Sequence, residues 1–266
     1  MTTSHVRLET DARGVATVTL DRPDKHNAFD EKVIAGLTAA FNAVANDPAA
    51  RALVLRSNGR SFCAGADLDW MRRMGAFSHE ENLRDAGNLS DMLETLYYLP
   101  VPAIARVQGA ALGGGAGLVC CCDMAVAADD AVFAFSEVKL GLVPATIGPF
   151  AVRAIGARAA RHYFLTAERF DAARALALGL VSEVAAADGL DAAVARLVDA
   201  ILQNGPQAVR AAKRHLLDVT ERELDEELFG ETNAWIADIR ATPEAREGLA
   251  AFLEKRAANW RKDGKS

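Results

Sequence analysis

Five glycines in nine positions, Gly109-Ala-Ala-Leu-Gly-Gly-Gly-Ala-Gly117, are the strongest constraint on how this chain can fold. They follow a strand-like segment, Ala103-Ile-Ala-Arg-Val107, and run into Ala116-Gly-Leu-Val-Cys-Cys-Cys122, which is apolar on every side and reads as a buried helix. A helix that starts on residues without Cβ atoms lets other groups approach its backbone closely. A second small-residue run, Ser61-Phe-Cys-Ala-Gly-Ala-Asp67, follows the strand-like Arg51-Ala-Leu-Val-Leu-Arg56 in the same way. Two amides converging on one oxygen from these strand ends would stabilise negative charge developing on a carbonyl, the demand made by a thioester passing to its enolate. Taken singly, each run reads equally as a tight loop or a helix packed on a sheet.

The remaining pattern is an α/β core followed by helices. Residues 5–20 alternate enough for one or two half-exposed strands, and Asp21-Arg-Pro-Asp-Lys-His-Asn27 makes a polar turn. A helix is predicted over 30–45, a polar segment over 68–82, and a helix over 83–98 stopped by Leu99-Pro-Val-Pro102. Strands are expected near 124–127, 132–135 and 179–184, and helices over 149–165 and 172–178. From about 190 the pattern is helical, with Pro206 and Pro243 as helix starts.

Composition narrows the class. With 266 residues, 51% of them hydrophobic, the chain can bury one large core, or a core and a smaller appendage. A formal charge of −6 gives no sign of a nucleic-acid or anionic-membrane surface. No charged start precedes an apolar stretch and no run of about 18 apolar residues occurs, so the chain reads as cytoplasmic. Cys120, Cys121 and Cys122 are adjacent, which suits buried thiols better than disulfides or a zinc site. The five histidines are scattered, and no metal is expected. There is no G-x-S-x-G elbow or phosphate loop, and Leu118 stands where a dinucleotide fingerprint needs its third glycine.

One carboxylate stands apart. Glu137, in Phe135-Ser-Glu-Val-Lys139, follows apolar Phe133-Ala-Phe135, and partial burial would raise its pKa into a range useful for proton transfer. The bland alternative is a glutamate that caps a turn or pairs with Lys139. Asp67 and Asp123 read as turn or N-cap residues rather than acids.

The order Phe62-Cys-Ala-Gly-Ala-Asp-Leu68, Val107-Gln-Gly-Ala-Ala-Leu-Gly-Gly-Gly-Ala-Gly-Leu118, Cys122-Asp123 and Phe135-Ser-Glu137 resembles the crotonase (enoyl-CoA hydratase/isomerase) superfamily from about Arg7 to the C-terminus. The resemblance implies a spiral of repeated strand-strand-helix units over 1–195, holding the coenzyme A and catalytic site, and a C-terminal all-helical trimerisation region over 196–266. It implies an acyl-CoA substrate, no permanently bound cofactor, and a homotrimer or dimer of trimers. It gives Ala64 and Gly114 as the two oxyanion amides and Glu137 as the acid/base. Ala145 would supply an amide that holds water. Lys25, His26 and Ala28 would meet the nucleotide, Ala66, Asp67 and Leu68 the pantetheine arm, and Phe252 and Lys255 the coenzyme A of a neighbouring subunit.

Hydratases with the full pattern carry a second glutamate twenty residues before the first, where this chain has Gly117. One base suffices to shift a double bond, as in the enoyl-CoA isomerases, whereas adding water normally uses two groups. The block 135–171 is similar to bacterial methylglutaconyl-CoA and isohexenylglutaconyl-CoA hydratases, which also have glycine there. That points to leucine-type breakdown and to a substrate with a second carboxylate, for which Arg72, Arg73 and Lys139 are candidate partners. The favoured reading is therefore a hydratase that adds water reversibly to a 2-enoyl-CoA of the methylglutaconyl type, with an enoyl-CoA isomerase and a catalytically silent acyl-CoA-binding scaffold as the alternatives.

Overall fold

The structure is a computed structural model and describes residues 5–261. Strands β1 (Val6–Thr10) and β2 (Val15–Leu20) form an antiparallel pair. Helix α1 (Glu31–Ala45) starts where the Asp30 carboxylate accepts the Lys32 and Val33 amides, and it buries Ile34, Leu37 and Phe41. β3 (Ala52–Ser57) lies parallel to β2.

Three units then repeat a plan. β3 leads through Cys63 to helices α2 (Leu68–Met74) and α3 (His79–Tyr97). β4 (Ala103–Val107) leads through β5 (Ala110–Leu112) to α4 (Gly114–Cys121). β6 (Met124–Ala128) leads through β7 (Val132–Ala134) to α5 (Gly148–Thr166). Each first strand joins one sheet. Each second segment joins another, with Cys63 bridging Ala111 in parallel and β5 parallel to β7. β8 (Phe170–Asp171) pairs antiparallel with β7, α6 (Ala172–Ala177) follows, and β9 (Glu183–Ala185) closes the large sheet in the order β1-β2-β3-β4-β6-β9. This is the expected strand-strand-helix layout.

Side chains alternate across the large sheet, as the strand period requires. Leu53, Leu55, Ala103 and Ala105 face the main core with α1, α3 and α4, whereas Val54, Ile104 and Val126 meet α7 (Leu190–Leu202) on the other face. Helices α8 (Pro206–Val219), α9 (Glu226–Arg240) and α10 (Pro243–Leu253) follow, with Pro206 and Pro243 each at a helix start.

Three local readings change. The polar stretch 68–82 is largely helical: Asp67 accepts the Asp69 and Trp70 amides to start α2, and Ser78 with Glu81 forms a capping box on α3. Residues 179–182 finish α6 instead of opening a strand, because the Leu180 and Val181 amides return to the Ala175 carbonyl. β5 and β8, of three and two residues, were hidden inside the glycine run and a helix boundary.

Candidate active site

The two small-residue runs travel side by side in one direction. The Cys63 N–H donates to the Ala110 carbonyl at 3.0 Å and the Leu112 N–H to the Cys63 carbonyl at 2.9 Å. Three residues beyond the Cys63–Ala111 bridge stand Ala66 on one run and Gly114 on the other. Their amide neighbours are committed. The Ala64 N–H donates to the His26 carbonyl at 3.0 Å and the Asp67 N–H to the Phe29 carbonyl at 2.7 Å. The Gly65 N–H faces the Cys63 sulfur. On the second run the Gly113 N–H donates to the Ala134 carbonyl at 2.8 Å.

The Ala66 and Gly114 N–H groups have no acceptor among the described residues. Gly114 opens α4, where the first amides lack intrahelical partners and the helix dipole favours negative charge. Gly113, at φ 51° and ψ −119°, turns the chain into that helix in a conformation that suits glycine. Both free amides flank Phe29, which bridges Ala66 and whose Cε2 would lie 2.7 Å from a Cβ at Gly114. Ala64 is thereby corrected: its amide is taken by His26, and the free amide of that run belongs to Ala66.

Glu137 opens a 3-10 helix, Glu137–Leu140, ended by Gly141 at φ 71°. It is held by β7, whose Phe133 stacks on Phe170 at 5.7 Å between ring centroids, while Phe135 meets Phe164 at 5.1 Å. Glu137 Oε1 would lie 3.2 Å from a Cβ at Gly113, so the carboxylate faces the turn that opens α4. Its Oε2 is buried without a hydrogen-bond partner. Burial pushes the Glu137 carboxyl above the usual range, against a smaller opposing effect from its own amide. Ala145 is a second correction: its N–H donates to the Val143 carbonyl at 2.7 Å and is not free to hold water.

The loop at 22–28 is rigidly fixed. His26 and Asn27 adopt φ 52° and 56°, left-handed values that are uncommon for non-glycine residues and that Asn and His adopt more readily than most. Asn27 holds them there, donating to the Asn58 and Ser61 carbonyls at 2.8 Å each and accepting the Arg22 N–H at 2.8 Å. Ala28 is buried, and its carbonyl accepts from Arg22. Lys25 Nζ lies 3.2 Å from Asp69 and 3.8 Å from Asp67, and the Arg60 guanidinium lies 3.0 Å from His26 Nε2. Asp67 is buried. Desolvation raises its pKa, but the Trp70 and Asp69 amides and the charges of Arg22 and Lys25 outweigh that and hold it low, so it is a cap and not an acid. Arg22, which bridges Asp30 and Asp67, and Phe29 were missed in the sequence. The only hint was their place in and just after a turn.

Leu68 is exposed beside this loop, and Phe252 and Lys255 lie exposed at the end of α10, which packs on α8 and α9. Arg72 pairs with Asp69 and Arg73 with Glu31, whereas Lys139 is exposed with no ion pair among the described residues. Glu81 caps α3, and Glu80 is exposed beside it. Burial lifts the Cys63 and Cys120 thiols to about 12, far from a reactive thiolate. Among the described residues no group of three or more His, Cys, Asp or Glu could hold a metal ion, and no helix is long and apolar enough to cross a membrane.

With two free amides and one partly buried carboxylate at the ends of parallel strands, the sequence pattern of the enoyl-CoA hydratase/isomerase family matches residues 10–263. The chain belongs to that family and has the α/β crotonase fold, with two mixed sheets and C-terminal helices α7–α10. It is similar to the crotonyl-CoA hydratase of Syntrophomonas wolfei, 33% identical over 92% of this chain and 94% of the relative. Among solved structures it resembles an enoyl-CoA hydratase from Shewanella pealeana, 44% identical with a TM-score of 0.93 over 96% of each chain. Pseudomonas aeruginosa AtuE is 38% identical with a TM-score of 0.93, over 97% of this chain and 100% of AtuE. By family the chain is an enzyme with enoyl-CoA hydratase activity, using coenzyme A thioesters without a bound cofactor.

Proposed function

We propose that this enzyme adds water reversibly, with syn geometry, across a 2-enoyl-CoA of the methylglutaconyl type, using Glu137 as its single acid/base. The observation that carries the reading is the unpartnered, buried Glu137 oxygen beside the turn that opens α4. Glu137 takes a proton from water, hydroxide bonds to the β-carbon, and the π electrons move toward the thioester oxygen. The Ala66 and Gly114 amides hold that oxygen as an enolate, and Glu137 returns the proton to the α-carbon. One carboxylate serving both transfers acts from one face, which gives syn addition.

Lys25, His26 and Ala28 meet the nucleotide end, with Arg60 adding positive charge, while Asp67 and Leu68 border the pantetheine arm. Of the three, Lys139 is the one without an ion pair among the described residues, which leaves it the freest to receive a second substrate carboxylate. The exposed Leu216, Leu249, Phe252 and Leu253 on the C-terminal helices support assembly through residues 196–266 into a trimer or dimer of trimers, with Phe252 and Lys255 reaching a neighbour's coenzyme A. Glycine at position 117 favours an isomerase as the second reading.

Incubation with crotonyl-CoA, 3-methylglutaconyl-CoA and a 3-enoyl-CoA separates these. The expected result is a gain of one water on both 2-enoyl substrates, with the largest kcat/KM on 3-methylglutaconyl-CoA. Conversion of the 3-enoyl substrate alone, without a mass change, would replace the hydratase by the isomerase, and turnover of none would leave a scaffold.

A further inference from the structure

Gly117 lies four residues beyond Gly113, the N-cap residue of α4, and its N–H donates to the Gly113 carbonyl at 3.0 Å, so it stands one turn along the helix from that cap. A Cβ at Gly113 would meet Glu137. One at Gly117 would meet Ile147, falling 2.5 Å from Ile147 Cγ2 and 3.1 Å from Ile147 Cβ, with Leu93 Cδ2 at 3.9 Å. The first separation is shorter than real Cβ contacts allow and the second is tighter than most, so a side chain there requires Ile147 to shift. Ile147 is 2% exposed and serves as the N-cap residue of α5, where its carbonyl accepts the Ala151 N–H at 3.0 Å. The segment that carries Glu137 thus returns ten residues later to place a branched hydrocarbon one turn along from it. The space is filled, and filled by apolar atoms.

We infer that Ile147 confines the site to one carboxylate, occupying the volume that a side chain at position 117 would need and walling it with hydrocarbon. On the hydratase reading above, every proton that reaches the substrate then passes through Glu137. Glycine at position 117 is therefore half of a packed pair rather than an empty place. A second acid cannot be restored by substituting that position alone.

The test has a stability arm and a kinetic arm. Gly117→Ala is expected to lower Tm by about 5 °C with Ile147 present and by less than about 2 °C in Ile147→Ala, a coupling that distant sites would not show. Equal losses in both backgrounds would overturn the inference. In the kinetic arm, Gly117→Glu alone should melt lower and hydrate more slowly than the native protein. Gly117→Glu with Ile147→Ala should regain stability and add a second ionisation to the pH profile of kcat, which Ile147→Ala alone should not. A Gly117→Glu protein as stable as native, or a double variant with one ionisation, would also overturn it. Coupled melting with no hydration by the native protein would sink the hydratase reading and not this one.

Discussion

Glu137→Gln is expected to lower kcat by about 10²–10⁴-fold, the range removed with a general acid/base, while acyl-CoA binding survives. The amide is nearly isosteric, so the coenzyme A contacts and the Ala66 and Gly114 donors stay in place. Burial raises the carboxyl pKa, so the acidic limb of kcat/KM should lie above the ordinary glutamate value of 4.5. The active form is deprotonated, so activity falls as pH drops through that limb. Stability moves the opposite way. A carboxyl whose folded pKa is raised binds protons more readily folded than unfolded, so it penalises the native state as pH rises above 4.5, fully so beyond the folded pKa. Glu137→Gln should therefore raise Tm at pH 7 to 8, with the gain gone below pH 4.5. Unchanged turnover with this substitution would remove Glu137 from the chemistry.

The largest stability effect is expected far from the substrate, at Asp123. Its Oδ2 lies 2.7 Å from Lys213 Nζ and accepts the Ala103 N–H at 2.7 Å. Lys213 is buried, and among the described residues its ammonium otherwise donates only to the Val101 carbonyl, at 3.1 Å. This cluster joins α8 to the strand before the glycine run and to the end of α4. Asp123→Ala leaves a buried charge on one carbonyl and orphans a strand amide. Breaking a buried pair costs about 3–5 kcal/mol, and the 30% exposure of the Asp123 side chain places the loss near the lower end. At about 2–4 °C per kcal/mol for a chain of this class, Tm should fall by about 6–12 °C in a thermal melt at pH 7. Asp123→Leu with Lys213→Met should recover the part due to the stranded ammonium, since no buried charge is left, while the orphaned Ala103 amide keeps the double variant below native. A melt within about 2 °C of native for Asp123→Ala would show the pair to be incidental.

Much of this was legible in the sequence, and the failures have physical reasons. Helix α1 follows from Asp30 ahead of an apolar period, and α4 from its wholly apolar turns. Helix α3 was read four residues late and α2 not at all: the buried residues of α3, Met92, Leu93 and Leu96, all lie near its C-terminal end, which left the Ser78-x-x-Glu81 cap in a polar stretch. The two donor-bearing runs were visible in their small residues. Which amide in Ala64-Gly65-Ala66 stays free was not, because that depends on the His26 carbonyl, nearly forty residues away in sequence and held by the left-handed turn at His26 and Asn27. The same holds for Ala145, whose amide turns back on its own loop. Ile147 carries no signal of its own, since one isoleucine before a helix says nothing of what it touches.

The fit of Ile147 against Gly117 also bears on how such an enzyme can diversify. A glycine encoded GGA or GGG reaches glutamate by one base change, so the second acid is genetically close. The intermediate nevertheless carries the steric conflict before any benefit, since a Cβ there falls 2.5 Å from the Ile147 methyl. The order of substitutions is then constrained: a smaller residue at position 147 must come first.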